Sequence, residues 1–431
     1  MSPRAVVQDL FSSLRVRNYR LFTIAQLISI SGTWMQTVAQ TWLVLSLTGS
    51  GVALGIVTGL QFLPTALGGL WGGIVADRFD KRKILVGTQA AAGILAGVLG
   101  VLTMTHVVLL WHVYVLAFLL GVVTALDTPA RQAFVIEMVG THEVANAVGL
   151  NSAVFNTGRI VGPAVAAVVI KLLGLAMAFN MNALSYIPPV IALLMMDRRA
   201  LHSEARAARQ KGMVREGLRF AWSARPIRRA LLVLTVVATV AFNFSVTVPL
   251  MAKFTFGKDV SAYAILTSTL AGGGLLGALW TAHRARPTQR LLAWSAAIFG
   301  AFATGSAFAP SLWWAALLLA ITGAASMVFI STVNSTLQLE TPAHLRGRVM
   351  ALYALVFLGS TPVGSPLIGW ISQATNARIG IGIGGVSALA AAVIAVATLG
   401  PERRRRRVHP LPGTAHVVVP EQPSEPATQT V

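Results

Sequence analysis

The chain has 431 residues, 55% of them hydrophobic and 11% charged, against about 25% charged in ordinary soluble domains, so most of it is expected in lipid. Its 34 Lys and Arg against 14 Asp and Glu give a net charge of +20, which on a soluble protein would point to nucleic acid but here follows from how cations are placed between apolar runs. Cysteine is absent and the eight histidines stand singly, which excludes a disulfide framework and a thiolate metal site and leaves no pair at helical ligand spacing, so neither a metal nor another cofactor is expected.

Runs of about 20 apolar residues cross a hydrocarbon core of about 30 Å as helices, since each residue advances about 1.5 Å. Twelve such runs follow in order: Phe22 to Leu45, Val52 to Ala76, Ile84 to Met104, Val107 to Leu126, Ala145 to Leu173, Leu175 to Met196, Ala230 to Met251, Ser261 to Ala282, Leu291 to Phe308, Leu312 to Val333, Val349 to Ile371 and Ile379 to Leu399. None alternates with period two, so the fold class predicted is all-α integral membrane and not a β-barrel. The first run is too long for a signal h-region and lacks a small-residue cleavage site, so it reads as a retained span.

The longest internal polar segment, 197–229, splits the runs six and six. The predicted organisation is therefore an N-terminal segment 1–20, a six-helix bundle 21–196, a basic linker 197–229, a second bundle 230–400 and a basic, then Pro-rich tail 401–431, read as disordered. Within the linker, Val214, Leu218, Ala221 and Trp222 share a helical face, which fits either an amphipathic helix on the membrane surface or a solvated basic linker. With alternate loops on opposite sides, 29 of the 34 Lys and Arg fall on one side, four on the other, and Arg159 inside a span. By the positive-inside rule both termini are cytoplasmic and the membrane is the inner (plasma) one. At an offset of 203 residues Glu137 falls on Glu340 and Pro163 on Pro366, so the bundles are parallel repeats, with a substrate cavity expected between them near mid-membrane.

Two motifs carry a resemblance. Between the second and third runs stands Gly73-x-x-x-Asp77-Arg78-x-x-Lys81-Arg82, and in the fifth stands Gly158-x-x-x-Gly162-Pro163. The first is similar to the loop signature of the major facilitator superfamily, the second to the signature of its antiporting exporters. Asp80 replaces the usual glycine of the first, and Ala166 and Ala167 replace two glycines of the second. Asp127-Thr-Pro-Ala-Arg131-Gln-Ala and Glu216-Gly-Leu-Arg-Phe220 further resemble the branch that holds macrolide efflux pumps and the enterobactin exporter. This resemblance implies two six-helix repeats working by alternating access, with the loop motif as a conformational latch and protons as the coupling partner. The span-four arginine of many drug exporters is replaced by Ala117, so its proton handling does not carry over.

Gln26, Ser29, Thr33, Gln36 and Gln40 fall on one stripe of the first span. Polar amides facing lipid are costly, so the stripe is expected to face a water-filled substrate cavity, with interhelical hydrogen bonding as the alternative. Ser152, Asn156 and Arg159 form a second stripe in the fifth span. Arg159 is a functional-site residue by default, or else a tie to a carbonyl or to Asp127. Trp34 and Phe242 are candidates for stacking on a substrate ring or for helix packing. No acid lies mid-span, so the proton-coupling candidates are Asp127 at the end of the fourth span and Glu137 and Glu340, with loop-anchoring ion pairs as the alternative. There is no phosphate-binding loop and no intramembrane catalytic cluster, so ATP hydrolysis and enzymatic activity are not expected. The predicted function is export of a small amphiphilic molecule such as a macrolide-like drug or a siderophore. An uptake carrier, a lipid flippase, or less readily a membrane sensor or enzyme is the alternative.

Overall fold

Runs of Leu, Ala, Val and Ile in lipid leave the backbone one local way to satisfy every N–H and C=O, the α-helix. The computed structural model describes residues 11–202, 213–283 and 288–397, and among these it is helical with no strand. The tail 401–431 and part of the linker fall outside the described residues.

In the first half, α1 is Arg17–Thr48, α2 Gly51–Arg78, α3 Lys81–Met104, α4 Leu110–Leu173, α5 Leu175–Ser185 and α6 Ile187–Leu194. Local chemistry sets the turns. Gly49, at φ 61, closes α1 by donating its N–H to Leu45 O, and Ser50 caps α2 by accepting from Ala53 N. Asp80 accepts from Lys83 N, so the residue that departs from the signature glycine serves as the N-cap of α3. α4 doubles back at Gly140, φ 69 and ψ 173, and its two arms hold the fourth and fifth predicted runs.

The second half begins with the linker helix α7, Met213–Ser223, where Leu218 and Trp222 are exposed and Ala221 is buried. Then come α8 Arg225–Val236, α9 Phe244–Leu250, α10 Val260–Ala282, α11 Gln289–Ala307, α12 Leu312–Glu340, α13 Ala343–Gly359, α14 Thr361–Ala374 and α15 Ala377–Ala397. Two predicted spans are broken here. Val237–Ala241 and Met251–Thr255 are π turns flanking α9, and the eleventh run divides at Ser360, ahead of Pro362. The breaks meet: Asn243 Nδ2 donates to Thr239 O, and Ser365 Oγ donates to Asn243 Oδ1 at 2.9 Å.

Nine helical segments among the described residues are long and apolar enough to cross a bilayer, where the sequence counts twelve runs. Three local causes account for the difference. α4 joins two runs across Gly140, the polar stripe dilutes α1, and Ser295, Gly300, Thr304, Gly305 and Ser306 dilute α11.

Apolar surface gains little from burial when the solvent is lipid, so close contact between small residues fixes helix positions. A Cβ on Gly72 would lie 2.1 Å from Ala125 O, and one on Gly277 2.3 Å from Ala324 O. Each half thus packs a glycine of its second helix onto an alanine carbonyl of α4 or α12, the repeat made visible in packing. The halves meet along α2 and α14. Gly51, Gly55 and Gly59 lie against Gly369, Ser365 and Pro362, whereas a Cβ on Gly68 or Gly69 would meet nothing within 4 Å. At the tight end Ser50 Oγ donates to Gln373 Oε1 at 2.6 Å and Lys253 Nζ to Leu45 O at 2.6 Å.

Candidate functional site

The densest polar cluster in the first half surrounds Asp127 on the first arm of α4. Its carboxylate is 4% exposed. Oδ1 accepts from Thr88 Oγ1 and Gln89 Nε2 of α3, both at 2.8 Å, and Oδ2 pairs with Arg131 one turn on. Arg131 Nη1 in turn donates to Gln26 Oε1 of α1 at 3.0 Å. Three helices therefore converge on one buried carboxylate–guanidinium pair, held by an ion pair and hydrogen bonds together. Gln26 Nε2, Gln89 Oε1 and Arg131 Nε are buried without a partner, so the network retains hydrogen-bonding capacity for a rearrangement or a proton carrier. Asp127 pairs with Arg131, not with Arg159 as one sequence alternative had it.

The stripe on α1 differs from its favoured reading. Gln26, Ser29, Gln36 and Gln40 are buried and Thr33 is half-buried. Gln36 Oε1 accepts from Asn182 Nδ2 at 2.6 Å, and Thr33 Oγ1 lies 3.1 Å from Tyr186 OH. In this conformation the Oε1 atoms of Gln26 and Gln36 accept bonds from other helices, and the exposed side of α1 carries Ile24, Leu27 and Ile28. The reason is energetic: an amide turned into the bundle finds donors and acceptors on α4 and α5, so it is the apolar side that remains for open space.

On the second arm of α4, the motif residues bind it to α1. A Cβ on Gly158 would lie 2.5 Å from Ile30 Cγ2, and one on Gly162 2.4 Å from Trp34 Cβ; Pro163 is buried within the same helix. Ser152 is exposed, and Asn156 and Arg159 are half-buried. Ser152 Oγ and Asn156 Nδ2 donate to carbonyls of their own helix, while the Arg159 guanidinium lies 5.8 Å from the centroid of Trp34. Trp34 also meets Phe155 edge-on at 5.8 Å. Phe242, by contrast, packs among Phe244, Phe299, Phe329 and Phe357, the helix-packing alternative.

The loop motif divides its roles. Lys81 Nζ pairs with Glu137 Oε1 at 2.5 Å, so Glu137 anchors the loop in this conformation. Arg82 is buried and donates to the carbonyls of Leu193 and Leu194, closing the end of α6. Asp77 and Arg78 are exposed, and Glu340 ends α12 on the surface. Beside the motif residue Gly73, its neighbour Gly72 makes a close approach, onto Ala125 O. Gly72→Ala is expected to lower thermal stability in detergent by about 1 to 3 kcal/mol through overpacking on that carbonyl; an unchanged melting temperature would contradict the contact.

Sequence reasoning missed Thr88, Gln89 and Tyr186. The adjacent Thr88-Gln89 pair inside an otherwise apolar run was the available signal.

These features have counterparts in known proteins. A family model described as transmembrane secretion effector matches residues 9–413. The multidrug efflux pump Tap of Mycolicibacterium fortuitum is 28% identical over 368 residues, covering 83% of this chain and 89% of that protein. Macrolide efflux protein A of Streptococcus pyogenes is 26% identical over 325 residues, 74% of this chain and 80% of that protein. The staphyloferrin A transporter of Staphylococcus aureus is 25% identical over 263 residues, 60% and 66% respectively. Among solved structures, a bacterial homologue of the human lysosomal transporter Spinster, inward-facing and unoccupied, superposes with a TM-score of 0.68 at 16% identity, covering 89% of this chain and 95% of that one. The nucleoside transporter NupG gives a TM-score of 0.65 at 13% identity, 88% and 98%. Family and relatives are multi-pass membrane transporters of small molecules rather than enzymes. Together with the all-helical fold, they establish that this chain belongs to the transmembrane secretion effector family of the major facilitator superfamily.

Proposed function

We propose that the chain is an exporter of small amphiphilic molecules across the inner membrane, working by alternating access and coupled to inward proton movement. The observation that carries this reading is the Asp127–Arg131 pair, buried where α1, α3 and α4 meet. Protonation of Asp127 removes the charge that holds Arg131, so one proton biases the contacts of three helices between two arrangements. The efflux and siderophore-transporter relatives support the direction and the range of substrates.

The conformation fits the inward-open state of such a cycle. Tight packing at Gly51 and Gly55 closes one end of the seam between the halves, while Gly68 and Gly69 stand clear at the other. Charge placement assigns that open end, with both termini, to the cytoplasm. Twelve spans in two bundles, 21–196 and 230–400, complete the reading. Residues around Asp77 and the Lys81–Glu137 pair act as the state-dependent latch, and Glu340 is the repeat counterpart of Glu137.

The test uses acid-loaded inside-out vesicles containing the protein, challenged with macrolides, catechol siderophores and dyes of either charge. The expected result is a substrate-dependent rise in luminal pH that an Asp127→Asn protein lacks. A rise of equal size in that variant would remove Asp127 from the coupling step.

A further inference from the structure

Arg159 is the cation whose surroundings differ from those of the other cations held within or against the bundle. Arg82 donates to two carbonyls, Arg378 to the carbonyls of Ala307 and Ala309, Lys253 to Leu45 O, and Arg131 to Asp127 and Gln26. Arg159, among the described residues, makes neither an ion pair nor a hydrogen bond; its contact is the face of Trp34. A cation–π contact uses no N–H, so the five donors of the guanidinium stay uncommitted.

Its direction follows from helical phase, at about 100° per residue. Gly158 and Gly162 face α1. The carbonyl of Ile160, about 200° round from Gly158, accepts from Ser268 of α10 in the other half. Two sectors remain between these contacts. One carries the exposed valines 161, 165 and 168, an apolar face suited to lipid. The other carries Ser152, Phe155, Asn156 and Arg159, with Ser152 and Phe155 exposed and the other two half-buried. Arg159 therefore lies on the side of α4 away from the lipid-facing valines, between the helices of the two halves. No acid offsets it there: among the described residues within the spans the acid is Asp127, and Arg131 already holds it.

We infer that Arg159, with Trp34 and Phe155 beside it, forms a binding site for the anionic group of an aromatic or otherwise apolar amphiphile, a carboxylate, sulfonate or phosphate. The inference rests on the export reading for its cavity and adds the charge of the cargo. A planar guanidinium takes an oxyanion through two parallel hydrogen bonds, and the two rings offer an apolar wall for the remainder of the molecule. A cationic amphiphile at the same place meets an uncompensated positive charge in a medium of low dielectric.

The experiment compares two xanthene dyes of similar shape, anionic fluorescein and cationic rhodamine 123, by fluorescence anisotropy on the full chain in phosphatidylcholine nanodiscs. Fluorescein is expected to bind about 10- to 100-fold more tightly than rhodamine 123, the worth of a hydrogen-bonded charge. Arg159→Gln removes that margin: fluorescein binds more weakly, and rhodamine 123, no longer facing the uncompensated charge, binds more tightly. Arg159→Lys restores part of it, since the charge is kept and the fork is lost, and its partial recovery separates a charge effect from misfolding. Equal affinity for the two dyes, or equal fluorescein binding by wild type and Arg159→Gln, overturns the inference. Displacement of fluorescein by added phosphatidylglycerol would support the anion site and identify its occupant as a lipid headgroup rather than a soluble amphiphile. Vesicle transport separates the two readings: fluorescein bound through Arg159 but not carried leaves the anion site standing and sinks export. Rhodamine 123 carried while fluorescein is neither bound nor carried keeps export and sinks the anion site.

Discussion

Asp127→Asn is expected to abolish proton-coupled transport and to lower thermal stability, and the added change Arg131→Gln to recover the stability without the transport. Asparagine keeps the size of the carboxylate and can still accept from Thr88 and Gln89 through Oδ1, but its Nδ2 replaces the acceptor that faces Arg131. What goes is the charge opposite Arg131, whose side chain is only 25% exposed. Breaking a fully buried pair costs about 3 to 5 kcal/mol because the remaining ion is left uncompensated. Partial exposure of Arg131, and the readiness of membrane helices to find substitute partners, bring the expected loss to about 2 kcal/mol. Neutralising Arg131 as well removes the stranded charge. Melting in detergent therefore separates single from double variant, while the proton flux of both stays at the level of empty vesicles. Flux restored in the double variant would mean that the pair is a structural tie and the proton moves elsewhere.

The stripe of Gln26, Ser29, Thr33, Gln36 and Gln40 marks where sequence legibility ends. Its spacing identifies one face of α1, but periodicity names a face and not what lies opposite it. The partners are Arg131, just past predicted span four, and Asn182 and Tyr186 of predicted span six, each more than 100 residues away. Asp80 makes the converse point: as a motif residue it looks like a defect, and as the N-cap of α3 it is an ordinary choice. Gly72, a glycine beside the motif that the motif itself does not name, packs onto Ala125 O of α4. The break at Phe242–Asn243 lies in a run that is apolar on both sides, whereas the one at Ser360 is marked in the sequence by Gly359, Ser360, Thr361 and Pro362. Their cause is the tertiary meeting of Asn243 with Ser365 and of Thr239 O with the backbone at Gly364. Family membership, by contrast, was legible from loops, where cations follow membrane topology and each residue can be read singly.

Linking Ser50→Cys to Gln373→Cys with a short bifunctional thiol reagent is expected to stop transport entirely, and reductive cleavage of the link to restore it. The native chain has no cysteine, so the engineered pair reacts without competition. These side chains meet at 2.6 Å across the seam of α2 and α14, where the backbone approach is close enough that a Cβ on Gly55 would lie 2.3 Å from Ser365 O. Packing of that kind has discrete arrangements and does not stretch. If the halves rock about a central site, this seam must part once in every cycle, and a covalent strap across it holds the chain in the state described here. Each single cysteine variant, treated alike, keeps its transport and controls for chemical damage. Gly55→Leu acts on the same contact in the opposite sense. Its side chain has no room in the closed seam, so spin-label distances across the Ser50–Gln373 end are expected to lengthen. Full transport by the linked pair would show that the seam stays shut throughout the cycle, and access would then have to alternate through motion within one half, where the breaks at Asn243 and Ser360 supply the only interrupted helices joined to each other by a side-chain bond among the described residues.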